Sequence, residues 1–332
     1  MARVRAVLLR GIAAAALLLT TVACAGGPSA PAPAGPAPDG AAFPVSVPHA
    51  FGSTTVTAPA LRVVALGVTD ADPLLALGIT PVAVTGYSFY PSGLGPWAQS
   101  RVQGPQPVRL ASDSTPALEQ IAALTPDLIV AVSSGIDQPT YDRLSRIAPT
   151  IARPADTAAY TVARAAATTT IATALGRATD GAELNRRADA AFASARSARP
   201  EFAGRTGSVV LPFDGRYGVF TPGDARGRFL AELGFVQPPR LAGREGGQSY
   251  FLDVAREEVG ALDGDVLVML ADQPALRQAV ESDQVLGQVP VVAQNRMLIT
   301  DTDTRGAMTY NSVLSVPYAL DRLVPALASA VR

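Results

Sequence analysis

Cysteine, histidine and lysine carry much of the covalent, metal and proton-transfer chemistry of proteins, and this chain is nearly without them. Cys24 and His49 are single, and lysine is absent. Cys24 follows Arg3, Arg5 and Arg10, an apolar stretch from Gly11 to Leu19, and the small-residue end Thr20-Thr21-Val22-Ala23. That is a charged n-region, an apolar segment too short to span a bilayer, and a processing site. A thiol in this place fits a bacterial lipobox, with Thr21 where leucine is usual. The expected chemistry is lipidation of Cys24, which becomes the new N-terminus. The other reading is ordinary secretion, leaving a free thiol. The same counts disfavour a His/Cys zinc site, a cysteine protease and a Ser-His-Asp triad. His49 is expected in a solvated loop. Every basic side chain is an arginine, so any anion held by a basic group meets a planar, bidentate guanidinium.

The elements that must position the remaining candidates come from composition and pattern. The 332 residues are 48% hydrophobic with a formal net charge of −1. This length allows two domains, and the charge offers no basic field for nucleic acid. No Gly-rich dinucleotide or Walker loop follows a strand. Ala25 to Ala42 is Pro, Ala and Gly with almost no charge, a tether that cannot build a core. Phe43 to Ala58 reads as a hairpin turning at Gly52-Ser53. Apolar runs predict strands over 62–66, 81–84, 127–132, 208–211, 265–270 and 297–300. Helical stretches are expected over 70–77, 117–124, 138–147, 226–233, 274–281 and 316–331, with Asp70 or Asp72 capping the first. From Tyr160 to about Arg199 strands vanish, and two Ala-rich helices, 161–175 and 182–196, are separated by Gly176 and Gly181. The predicted class is α/β, with Rossmann-like lobes at 45–158 and 205–332 around a helical connection at 159–204. A leader (1–23) and a tether (24–44) precede them, and a ligand cleft is expected between the lobes.

Ligands of open α/β sheets meet the loops at the carboxyl ends of strands. That rule selects 67–70, 86–90, 133–137, 214–217, 271–273 and 301–305. Within and near them stand Tyr87, Tyr90 and Trp97, then Ser133 and Ser134, Arg216 and Tyr217, and Arg305. Tyr250, in the QSYF run before the next expected helix, joins them as a ligand-binding candidate. Aromatic walls with a few donors suit a largely organic ligand, and arginine suits an anionic one.

RVVALGVTDADPLLALGITPVAVTGYSFYP, ALEQIAALTPDLIVAV and YDRLSRIAPTIARP lie in the first lobe; GDARGRFLAELGF, VAREEVGALDGDVLVML and NSVLSVPYALDRLVPAL lie in the second. In this order they resemble the class III solute-binding proteins, lipoproteins that deliver ferric siderophores, haem or cobalamin to ABC importers. VSSG together with LSRIAPT is most similar to the iron-siderophore binders of actinobacteria. The resemblance implies two α/β lobes joined by a rigid helix that permits modest closure. It implies a monomer at the outer face of the cytoplasmic membrane, attached by its lipid alone. The partners would be a ferric siderophore and a permease, with no nucleic acid, no cofactor, no catalytic residue and no iron ligand from the protein. Arg226 matches a family position near the cleft, and Glu119 and Glu257 match carboxylates that dock on the permease, with Glu258 as the alternative register. Haem or cobalamin remains an alternative ligand, with Tyr87, Tyr217 or Tyr250 as candidate haem ligands. The rival from another class is an extracytoplasmic hydrolase, which lacks a folded-region histidine to activate a nucleophile. A scaffold with a vestigial cleft is the third reading.

Overall fold

A computed structural model describes residues 43–244 and 251–331. Cys24, the leader, most of the tether and Tyr250 lie outside the described residues. The chain opens with β1 (Val45–His49) and β2 (Gly52–Val56). His49 pairs with Gly52 and Pro48 with Ser53, so the turn is Ala50-Phe51 and not Gly52-Ser53. Alternation sets this register, with Val47, His49, Thr54 and Val56 all facing inward. His49 is correspondingly not a solvated loop residue. It is 3% exposed, its Nε2 lies 2.9 Å from the Thr54 hydroxyl, and burial lowers its pKa.

The first lobe runs β3 (Val63–Ala65), α1 (Ala71–Ala76), β4 (Ala83–Val84), α2 (Pro96–Gln99) and β5 (Val108–Arg109). It continues with α3 (Leu118–Ala123), β6 (Leu128–Ala131), α4 (Gln138–Leu144) and β7 (Thr150–Ala152). All its strands are parallel, in the order β5-β4-β3-β6-β7. The central runs VVA and LIVA are buried at every position because helices cover both faces.

Two helices then cross to the second lobe, α5 (Arg164–Ala174) and α6 (Ala178–Ala198). Gly176, at φ +67°, breaks the chain between them. Gly181 does not; it lies inside α6, where a side chain would collide with the Cβ of Ala172 on α5. The missing side chain lets the two helices approach closely there. The second lobe comprises β8 (Gly207–Phe213), β9 (Arg216–Phe220), α7 (Ala225–Glu232), β10 (Phe251–Val254) and β11 (Val266–Met269). After these come α8 (Pro274–Ser282), α9 (Gln284–Gly287), α10 (Pro290–Ala293), β12 (Met297–Ile299), α11 (Thr302–Tyr310) and α12 (Ser315–Ala330). Its order, β10-β9-β8-β11-β12, repeats that of the first lobe, except that β9 runs antiparallel to both neighbours.

Residues 214–217 were expected to form a strand-exit loop. Asp214-Gly215 is instead a two-residue hairpin turn, both residues at positive φ, and Arg216 and Tyr217 begin β9. Phe251 likewise opens a strand, not a helix, and 302–305 begin α11 with Asp301 as its cap.

The buried Arg164 ties the helical connection to the second lobe. Arg164, at the start of α5, donates to Asn311 Oδ1 at 2.8 Å and to both Glu232 carboxylate oxygens at 3.0 Å, and pairs with Asp189 at 3.0 Å. Asn311 caps α11 in the left-handed conformation and donates to the Ala225 carbonyl at 2.9 Å.

Candidate functional site

The loop after β4 meets the second lobe along a seam: Tyr87 and Tyr90 contact Tyr310 on α11, Phe89 lies by Arg305, and Trp97 in α2 contacts Tyr310 and Tyr318 on α12. At the end of β3, Asp70 holds the N-cap position of α1 without capping it by its side chain. Its carboxylate reaches to the end of β6, where it accepts from the amides of Val132 (2.8 Å) and Ser133 (3.0 Å). Burial raises its pKa to about 7 against these hydrogen bonds. Ser133 and Ser134 are therefore not open donors. Both are buried, and the Ser134 hydroxyl donates to the Ala131 carbonyl at 2.8 Å. They shape the loop that delivers Gly135.

Tyr160 lies over Gly135, which has no room for a side chain beneath the phenol. The Tyr160 hydroxyl donates to Asp113 Oδ2 at 2.8 Å, and the amide of Gly135 donates to the same oxygen at 2.9 Å. Burial first, then the bond to Asp113, raises the Tyr160 pKa to about 12. Neither Asp113 nor Tyr160 was among the sequence candidates. Asp113 follows β5, a two-residue strand with no apolar run to announce it.

Tyr87 stands where both lobes meet. Its ring stacks on Phe89 (5.4 Å between centroids, 8° between planes) and meets the edge of Tyr310 from α11 at 5.2 Å. Burial raises its pKa to about 12; Arg226 opposes that shift, while Asp224 and Asp113 add to it. Its phenol thus lies within the field of charges from both lobes.

The second lobe contributes two arginines. Arg226 sits 3.6 Å from the centroid of Phe220 and is gripped at both ends by Asp224, Nε to Oδ1 at 2.7 Å and Nη2 to Oδ2 at 2.8 Å. Arg305, on α11, lies 5.2 Å from the centroid of Phe89 and forms an ion pair with Asp272. Phe251 packs against Phe220 (5.4 Å) and Phe213 (5.4 Å), extending this wall.

Tyr90 and Trp97 lie deeper and serve a different purpose. Tyr90 is buried, its hydroxyl 3.4 Å from the Thr302 carbonyl and its ring packed on Gly306. Trp97 is 9% exposed, edge-on to Tyr90 and Tyr310, and donates its indole N–H to Asp72 Oδ2 at 2.7 Å. Both fasten the first lobe to α11 and α12. A large aromatic at a strand exit is here a lobe-to-lobe fastener, because its polar tip finds a buried partner.

Arg216 and Tyr217 also leave the seam. Tyr217 and Phe220 are three residues apart on β9, so they face opposite sides of the sheet. The Tyr217 hydroxyl donates to Asp283 at 2.7 Å in the outer layer, and exposed Arg216 pairs with Asp253 at 2.6 Å. Glu119, in the first turn of α3, and Glu257, in the 3-10 turn 256–262, are exposed and have no ion-pair partner among the described residues. Glu258 pairs with Arg244 at 3.3 Å.

Residues 63–304 match the family described as periplasmic binding protein. The chain is 30% identical over 241 residues to the "Putative ABC transporter substrate-binding lipoprotein YhfQ" of Bacillus subtilis (strain 168), covering 68% of this chain and 70% of that one. A periplasmic solute binding protein from Mycobacterium smegmatis str. MC2 155 superposes with a TM-score of 0.78 at 33% identity, over 87% of this chain and 99% of that one. PiaA from Streptococcus pneumoniae TIGR4, crystallised with ferrichrome, gives a TM-score of 0.73 at 26% identity, over 86% of this chain and 98% of that one. The superpositions show that this chain shares its two-lobed α/β fold with those solved structures. The chain belongs to the periplasmic binding protein family, as a solute-binding protein and not an enzyme.

Proposed function

We propose that this protein captures a ferric siderophore outside the cytoplasmic membrane, where lipidated Cys24 anchors it, and delivers it to an ABC import permease. One observation carries the reading: Tyr87, stacked on Phe89, sits at the lobe junction within reach of charges from both sides. Aromatic faces with hydrogen-bond donors around them suit the organic shell of a chelated metal. In this reading the siderophore fills the coordination positions of the iron, and the protein meets its organic shell. PiaA, caught with ferrichrome, supports the class of ligand. Glu119 and Glu257, open carboxylates on separate lobes, are the residues that would meet the permease.

Titration of the purified protein with ferric hydroxamate, ferric catecholate, ferric citrate, haem and cobalamin tests the reading through the fluorescence of Trp97. Saturable submicromolar quenching by a ferric siderophore is the expected result. Preference for haem or cobalamin, or silence from all five with no thermal shift, would overturn it. Replacing Cys24 by alanine is expected to release the protein from the membrane fraction.

A further inference from the structure

Tyr160 holds a backbone that tyrosine seldom adopts. It stands third in the turn 158–161, closed by the Thr161 amide on the Ala158 carbonyl at 3.3 Å, and its φ is +63°. That place suits glycine or asparagine, since an L side chain is strained in the left-handed region. The surroundings hold the strained residue at its phenol end. Its hydroxyl donates to Asp113 Oδ2 at 2.8 Å, and the three atoms nearest to a Cβ placed on Gly135 all belong to Tyr160. Gly135 gives its amide to the same Asp113 oxygen at 2.9 Å. Asp113 follows β5 and Gly135 follows β6, in the sheet whose β4 exit carries Tyr87. Burial leads the rise in pKa of both phenols and Asp113 adds to each, so Tyr160 and Tyr87 stand around one carboxylate. The next residue is tied to the second lobe: Arg228 of α7 donates to the Thr161 carbonyl at 3.4 Å and to that of Gly223 at 2.7 Å.

Despite this anchoring, the residue stays open. Tyr160 is 41% exposed, the only exposed tyrosine among the described residues. A ring that merely fastened the connection would gain more by being buried, as Tyr90 and Trp97 are. Strained backbone that the surrounding structure over-determines clusters at ligand clamps. We propose that Tyr160 is a specificity-determining contact of the seam: its open ring meets the organic shell of the ligand, and Asp113 and Gly135 are positioning residues that act on the ligand only through it. The inference rests on the siderophore reading above and adds a ligand contact from the lobe connection, outside the strand-exit loops.

Calorimetric titration of the unaltered protein with ferrichrome, ferrioxamine B and ferric enterobactin supplies the probe, whichever complex binds most tightly. Tyr160→Asn places a residue that tolerates the left-handed turn, and should weaken the probe at least about tenfold, as loss of a central aromatic contact does. Asp113→Ala frees the phenol and Gly135→Ala displaces it, so each should weaken the probe as a single change. In the Tyr160→Asn background neither should alter affinity by more than about twofold, the ordinary scatter between independent sites. Asp113→Asn keeps an acceptor for both donors and should bind the probe as the unaltered protein does. A smaller loss on Tyr160→Asn, or a further loss on Asp113→Ala in that background, overturns this inference alone. Should Tyr160→Asn not fold, Gly135→Ala decides: a comparable loss supports the inference, and unchanged affinity overturns it. Absence of binding by all three complexes to the unaltered protein overturns it together with the siderophore reading.

Discussion

The Ser312 hydroxyl, just beyond α11, donates to the carboxylate of Asp72 at the start of α1, joining the two ends of the fold through one buried oxygen. The same oxygen accepts the indole N–H of Trp97, while Asp72 Oδ1 is buried without a partner. Burial outweighs these bonds and raises the Asp72 pKa to about 6, as it raises that of Asp70 to about 7. In the unfolded chain both titrate near 3.8. Between about pH 4 and pH 7 the native state thus binds more protons than the unfolded one, so stability falls as pH rises through this window. Asp72 alone accounts for about 3 kcal/mol. Melting temperatures should decline from pH 5 to pH 8, and Asp72→Asn should flatten that slope. Asp283, held low by Arg256, adds stability above pH 4 that is lost in stronger acid, and burial of His49, which lowers its pKa, opposes part of the carboxylate slope below pH 6.5.

Tyr87 and Trp97 are expected to part company in binding assays. Tyr87→Ala removes a seam wall and should weaken ligand affinity about tenfold or more, as loss of a central aromatic contact does. Trp97→Phe should change affinity little and lower the melting temperature instead, since it strips Asp72 of a donor. Calorimetric titration beside thermal denaturation separates the two effects.

Gly306→Ala is expected to destabilise the fold by about 1–3 kcal/mol, because the added methyl would overlap the Tyr90 hydroxyl and ring. Urea unfolding measures the loss. Tyr90→Phe should restore part of it by removing the hydroxyl that the methyl meets.

Charge reversal at Glu119 and Glu257 together should abolish uptake in cells while leaving ligand affinity unchanged, since both side chains are exposed and have no ion-pair partner among the described residues. Uptake at the native rate would show that docking uses other groups. Reversal of Glu258 should matter less, because that carboxylate already faces Arg244.

Where the sequence was legible, burial was simple. The runs at 63–65, 128–131 and 266–269 are apolar throughout because both sheet faces are covered, and the pattern needs no knowledge of the partner. Elements defined by their neighbours were hidden. β5 is two residues long, and β9 follows an Asp-Gly turn whose hairpin signal competes with the strand-exit position of Arg216-Tyr217. The site followed the same division. Tyr87 is selected by its position after β4, and the structure places it at the contact with Tyr310 of α11. Asp113 and Tyr160 acquire meaning only through each other across 47 positions, and Trp97 through Asp72 across 25. No local pattern encodes such pairings.

Two separate sets of helices span the lobe junction, α5 with α6, and α11 with α12, and the Arg164 cluster bolts the first to the second. In engineering terms this is a flexure with parallel leaves and not a pin joint. Such a mount resists rotation, returns to one rest position, and responds to load by deflecting slightly everywhere.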